Sequence, residues 1–164
     1  MTIRKEQSGD AGRIREVTQL AFRTCPHACG REQDIVDALR GSGALSLSLV
    51  AVIDGELVGH VALSPVTIPD ARGAWYGLGP ISVLPRLQRT GIGSALMADA
   101  LAWLREQNAA GCVLVGDPQY YTRFGFACDP SLTVPGVPPE VTLALRLRPT
   151  EDRGPVRFHA AFGC

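Results

Sequence analysis

Apolar residues recur along this chain with two periods, and the switch between them divides it into elements. Thr2 to Lys5 reads as a short first strand. Ile14, Val17, Leu20 and Ala21 share one helical face behind Asp10, a candidate N-cap, so the spacing predicts a helix to about Phe22. A loop with Pro26 and Gly30 follows. Arg31 to Arg40 reads as a second helix with Ile35, Val36 and Leu39 inward, ended by Gly41 and Gly43. The period then changes. Leu45-Ser46-Leu47-Ser48-Leu49 alternates strictly and runs into Val50 to Ile53, which predicts a strand. Asp54-Gly55 is a tight hairpin turn, and Leu57 to Leu63 is the antiparallel return.

Pro69 to Gly73 is a loop, and Trp75 to Val83 is the next strand. It holds Gly77, Gly79 and Pro80. A proline has no N–H for the neighbouring strand, so the ladder should break there in a bulge. Pro85 stops the strand, Gln88-Arg89-Thr90 makes a polar turn, and Gly91 and Gly93 lead into a helix with Leu96, Met97, Ala100, Leu101 and Leu104 on one face. Gly111 ends that helix. Cys112 to Val115 reads as a buried parallel strand, which makes strand–helix–strand a right-handed crossover. Asp117 caps and Pro118 starts a short helix that Gly125 ends. Ser131 to Pro139 is a proline-rich loop, Val141 to Leu147 a strand, Pro149 to Gly154 a turn, Val156 to Phe158 a last strand, and Ala160 to Cys164 a tail. No repeat or long linker divides the chain, so the expectation is one α+β domain over residues 1–164.

Composition narrows the function. The chain has 164 residues, enough for a single core. Sixteen basic and sixteen acidic residues cancel, which argues against a general nucleic-acid binder. No apolar run is long enough to span a bilayer, and the first residues, Met-Thr-Ile-Arg-Lys-Glu-Gln, lack the apolar core of a signal peptide. The five cysteines (Cys25, Cys29, Cys112, Cys128, Cys164) are odd in number and scattered, and read as reduced thiols of a cytoplasmic protein. Cys25, His27 and Cys29 have no second Cys/His pair nearby, so no metal is expected.

The chemistry concentrates in the turn between Val83 and Leu96. A strand, a glycine loop and a helix N-terminus together present unpaired backbone N–H groups to an anion, phosphates above all. A Walker loop would need a lysine that is absent, and a dinucleotide fingerprint would need glycine where Leu96 stands. Gln88-Arg89-Thr90-Gly91-Ile92-Gly93 instead resembles the Gln/Arg-x-x-Gly-x-Gly/Ala loop of the GNAT family of N-acetyltransferases. The preceding bulged strand, the following short strand and Tyr121-x-x-x-Gly125-Phe126 occur in that family's order, from roughly Leu49 to Phe126. Gly-Asp-Pro-x-Tyr-Tyr-x-Arg-Phe-Gly-Phe from Gly116, the Pro-Gly-Val-Pro-Pro-Glu stretch and the Phe-His-x-Ala-Phe tail look like the family's YhbS-type branch.

The resemblance implies the GNAT fold: a mixed sheet of about seven strands, splayed at its middle, flanked by about four helices. It implies acetyl-CoA as co-substrate and acetyl transfer to a primary amine of a small molecule or a protein, directly within a ternary complex. A non-catalytic acyl-CoA-binding module on the same fold is the alternative. The backbone N–H groups of Ile81 and Val83, flanking Ser82, would hold the pantetheine arm and polarise the thioester oxygen. Gln88, Arg89, Thr90, Gly91, Ile92, Gly93 and Ser94 would hold the pyrophosphate, and Arg86 or Arg89 the adenosine 3′-phosphate. Tyr121 would be the general acid for the leaving thiolate and contact the cofactor, with Tyr120 pointing elsewhere. Many relatives carry a base as a glutamate on the strand before the loop, and Trp75 to Val83 has none. Glu32, His60 or water remain for that role, and Glu32 is alternatively an acceptor ligand. Dimers are common among relatives, and the C-terminal strands are where copies would pair. Helices 1 and 2 and the loop from Ser131 to Glu140 would line the acceptor site.

Overall fold

The structure is a computed structural model and describes residues 1–163. In chain order the elements are β1 (Thr2–Lys5), α1 (Ala11–Phe22), α2 (Glu32–Gly41), β2 (Leu47–Ile53), β3 (Glu56–Val66), β4 (Trp75–Val83), α3 (Ile92–Glu106), β5 (Gly111–Val115), α4 (Pro118–Tyr121), β6 (Ala127–Cys128), β7 (Leu132–Thr133), β8 (Thr142–Arg146) and β9 (Gly154–Pro155). Seven strands form one sheet in the order β1-β2-β3-β4-β5-β8-β6, and β7 pairs with β9 in a small parallel ribbon. Within the large sheet only β4 and β5 run parallel, because α3 connects them.

The sheet has two covered faces. A Cβ at Gly59 on β3 would stand 3.2 Å from the side chains of Ile92 and Leu96, so the odd-numbered β3 positions here face α3. The helix buries Leu96, Met97, Ala100 and Leu104 completely against the sheet, as its spacing predicts. The even-numbered positions, His60 among them, face the opposite side. There α1 packs Ile14 and Val17, also completely buried, and Thr18 reaches Ser82 on β4.

Departures from the sequence reading have local causes. Asp10 stands at the head of α1, but its carboxylate accepts from the Gln7 N–H and the Arg4 guanidinium (both 2.7 Å) and from no N–H of the helix. Asp117 does cap α4, accepting from the Gln119 N–H at 2.9 Å. The last strand is not Val156 to Phe158: Gly154 and Pro155 pair with β7, and Arg157 makes a lone bridge to Thr67. Strands β6, β7 and β9 have two residues each, too few for alternation to announce them. Cys25, Cys112 and Cys128 are free thiols, as expected, whereas Cys29 is disulfide-bonded and corrects the reading of reduced thiols there. Among the described residues no helix is long and apolar enough to cross a membrane.

A second apolar cluster around Trp75, Val113, Leu132 and Val156 ties the C-terminal segment to the sheet. Its polar pin is the buried Asp152, whose carboxylate accepts from the Arg72 N–H (2.9 Å) and the Trp75 indole N–H (2.8 Å). These donors hold its pKa below the ordinary aspartate value. Asp152→Asn should cost about 1–3 kcal/mol, since an amide NH₂ would then face a buried donor. A depressed carboxylate adds stability above its unfolded pKa and loses it as pH falls through the folded one. Urea unfolding of both forms at neutral and acidic pH checks this: the gap between them should narrow in acid.

Candidate active site

The two central strands part midway. β4 pairs with β5 only at Trp75, Tyr76 and Gly77, while β5 continues along β8 as far as Val115. On its other edge β4 stays paired to β3 up to Val83, with a register shift in which Gly79 and Pro80 stand opposite the single residue Ala62. That is the bulge anticipated from Pro80, and it sits where β4 leaves β5.

The bulge decides which way the backbone beyond it points. Leu84 N–H donates to the Val58 carbonyl at 2.9 Å, which sets the parity of the antiparallel ladder. Leu84 and Ser82 turn their N–H and C=O groups toward β3, so Ile81 and Val83 turn theirs toward the gap left by β5. A simple completed ladder therefore does not account for Ile81 and Val83. The Val83 carbonyl on that free edge takes the Gln88 side-chain amide at 3.1 Å, which ties the turn to the strand end.

Beyond β4, Pro85 to Leu87 form one 3₁₀ turn, and Thr90 donates its hydroxyl to the Leu87 carbonyl. Arg89 has φ +64° and Gly91 φ +95°, so the chain turns through the left-handed region just before α3. A side chain at Gly91 would be strained. Helical bonding starts with Ala95 N–H on the Gly91 carbonyl (3.1 Å), which leaves the N–H groups of Ile92, Gly93 and Ser94 directed out of the end of a 15-residue helix. Free strand edge and helix end thus meet at one mouth. Arg89 is exposed and has no ion-pair partner among the described residues. Arg86, the other candidate for a phosphate, is held by Glu56 through two 3.0 Å contacts, in a cluster that Arg13 also joins.

Helix α4 closes the mouth from the other side with both tyrosines. The Tyr121 ring lies against the end of β5, where a Cβ at Gly116 would stand 2.5 Å from it. The Tyr120 hydroxyl reaches across to α3, 2.7 Å from where a Cβ at Gly93 would stand. The expectation that Tyr120 points elsewhere is therefore corrected. In a single-turn helix two successive side chains are only about 100° apart, and both fit into one cleft. Their rings meet edge to face, with centroids 4.9 Å apart. Burial pushes the Tyr121 phenol above its ordinary pKa, with the neighbouring Tyr120, Cys25 and Asp117 acting in the same direction. The influence of Cys25 places the α1–α2 loop beside Tyr121.

Glu32 is well buried, at 8 % exposure. One of its carboxylate oxygens accepts the Cys29 N–H at 2.7 Å and the other is buried without a hydrogen-bond partner. It braces the same loop, and among the described residues no hydrogen bond joins it to Tyr121. His60 is completely buried between Ser48 and the α1 face.

Comparison with known proteins agrees with this geometry. Residues 14–126 match the family described as Acetyltransferase (GNAT) family. The Escherichia coli (strain K12) protein named uncharacterized N-acetyltransferase YhbS is 35% identical over 127 residues, covering 77% of this chain and 73% of that protein. A GNAT family acetyltransferase from Brucella melitensis, solved in complex with acetyl-CoA, superposes with a TM-score of 0.87 at 48% identity, covering 98% of this chain and 97% of that one. YhbS from Escherichia coli, solved in complex with CoA, gives a TM-score of 0.90 at 31% identity over 99% and 92% of the two chains. With the parted strands and the glycine loop in place, these matches establish that the chain belongs to the GNAT family of acetyltransferases.

Proposed function

We propose that the chain is one acetyl-CoA-dependent N-acetyltransferase domain that moves the acetyl group straight to a primary amine in a ternary complex. The observation that carries this reading is the free edge of β4 beside the open end of α3. The pantetheine arm lies along that edge in place of the missing stretch of β5, bonded to the N–H groups of Ile81 and Val83 on either side of Ser82. Preorganised N–H groups at the thioester oxygen stabilise the charge that develops there in the transition state. The pyrophosphate lies on the N–H groups of Ile92, Gly93 and Ser94, with Gln88, Thr90 and Gly91 shaping the loop. Arg89, the unpaired cation, takes the 3′-phosphate.

The amine attacks the thioester carbon, the carbon–sulfur bond breaks, and its electrons leave on sulfur. Tyr121 gives that sulfur a proton, and the proton that the attacking nitrogen sheds on forming the amide returns through solvent to the phenolate. The phenol stays protonated throughout the neutral range because burial raises its pKa. Glu32 holds the loop on the acceptor side, and its unpartnered oxygen is suited to an incoming ammonium group.

Initial rates measured while varying both substrates test direct transfer. A ternary complex gives intersecting reciprocal plots, and a covalent acetyl-enzyme gives parallel ones. Acetyl-CoA binding with no release of CoA in the presence of any amine would favour the binding-module alternative.

A further inference from the structure

Where β4 and β5 part, the α3 side of the sheet is taken up by the cofactor mouth, which the end of α3 and the tyrosines of α4 enclose. The acceptor is left the opposite side, and strand parity fixes which side chains look that way. Gly77, the last residue of β4 to pair with β5, stands opposite Ser64, an even-numbered β3 position on the α1 side. Its β5 partner is Val113. Successive strand residues alternate, so Val113 and Val115 share that side. Leu114 between them joins the main core with α3, whereas Val113 belongs to the second apolar cluster.

Val115 lies two residues, about 7 Å, beyond the last pair with β4. It is 49 % exposed, and Met1 is the other exposed large apolar residue among those described. A single exposed valine is ordinary, but this one continues an aromatic patch. A Cβ at Gly77 would stand 2.5 Å from Phe158 Cε1, so that ring rests directly on β4 where the strands part. Phe162 meets it edge to face, with centroids 5.2 Å apart, and both rings are only half-buried. The segment is held at both ends. Arg157 and Thr67 exchange backbone bonds of 2.9 and 3.0 Å. His159 Nδ1 accepts the Ala161 N–H at 3.0 Å, and its Nε2 lies 3.3 Å from the Ser42 hydroxyl at the end of α2. The rings are thus fixed before a ligand arrives, which lowers the cost of binding.

We propose that Phe158 and Val115 are specificity-determining residues of the acceptor site, and that the acceptor is a small primary amine carried on an aromatic group. This rests on the acetyltransferase reading above. The amine reaches the thioester beside Ile81, and its carrier lies along Val115 and against Phe158. An aromatic carrier gains by burying its own apolar surface and by edge-to-face contact with a fixed ring. A polyamine or an amino sugar would have to desolvate polar groups against these side chains without new hydrogen bonds.

The test uses the full chain, Val115→Thr and Phe158→Leu, with phenethylamine and putrescine compared by CoA release at saturating acetyl-CoA. The wild type should show a kcat/KM at least about tenfold higher for phenethylamine. Threonine keeps the shape of valine, and leucine keeps an apolar cover over Gly77, so both variants should fold. Each should lower that preference about tenfold, which is the low end of what one methylene in an apolar pocket is worth. The change should fall chiefly on the KM for phenethylamine, with the calorimetric affinity for acetyl-CoA unchanged. A wild type that prefers putrescine, or that binds acetyl-CoA and turns over neither amine, overturns the proposal. So does a preference that survives in both variants, or one that falls only together with acetyl-CoA affinity. The acetyltransferase reading fails separately, through absence of acetyl-CoA binding by the wild type.

Discussion

Tyr121→Phe is expected to lower kcat by a hundredfold or more and to leave the KM for acetyl-CoA and the melting temperature nearly unchanged. The magnitude is that of one lost proton transfer, roughly 10²- to 10⁴-fold. The separation from binding and stability follows from the packing. The Tyr121 ring rests on Gly116 and meets Tyr120 and Phe126 edge to face, and phenylalanine keeps all of those contacts. No hydrogen bond joins the Tyr121 hydroxyl to another described group, so its removal leaves no partner stranded. Because burial raises the phenol pKa, the wild-type rate should not fall through Tyr121 ionisation anywhere in the neutral range. Steady-state rates of the two proteins over the same pH range check both statements. A Tyr121→Phe enzyme with full kcat would move the acid role elsewhere, and Tyr120 is the nearest hydroxyl to take it.

Gly93→Val is expected to weaken acetyl-CoA binding about a hundredfold or more. Hydrogen bonds to a charged partner contribute about 1.5–3 kcal/mol each, so displacing the pyrophosphate from two of the three free N–H groups costs about 3 kcal/mol or more, and each 1.4 kcal/mol is tenfold in affinity. The Tyr120 hydroxyl would also be 2.7 Å from the new Cβ, so the variant could act by pushing Tyr120 aside. Gly93→Val combined with Tyr120→Phe removes that clash. If the double variant still binds weakly, the side chain at position 93 blocks the phosphate directly. If binding returns, the effect ran through Tyr120. Circular dichroism should show both variants folded, since Gly93 does not have a positive φ.

Much of this was legible in the chain because each signal had a local cause. Strict alternation placed β2, the period at Leu96 to Leu104 placed α3, and the missing N–H of Pro80 placed the bulge. The glycine loop could be read because a turn at positive φ demands glycine at position 91. What escaped was set by contacts between distant residues. Helical spacing turned Tyr120 away from the site of Tyr121, although the single turn of α4 brings its hydroxyl to Gly93, 27 positions away. Arg86 and Arg89 look alike in sequence, but Glu56 pairs with only the first of them. His60 reads as one polar residue on a packed face. Its bond to Ser48, and through Ser48 to Glu6, depends on strand pairing that the residue's own spacing does not announce. The two-residue strands β6, β7 and β9 are defined by their partners and carry no pattern of their own.

The central claim is that the free edge of β4 and the end of α3 together form a site for acetyl-CoA. Calorimetric titration of the full chain with acetyl-CoA, beside ATP and NAD as controls, tests it most directly. The structure predicts micromolar-range binding of acetyl-CoA with one molecule per chain, weakened by Gly93→Val, and no comparable heat from either control. No binding of acetyl-CoA, or equal binding of all three, would mean that the parted strands and the glycine loop do not form such a site.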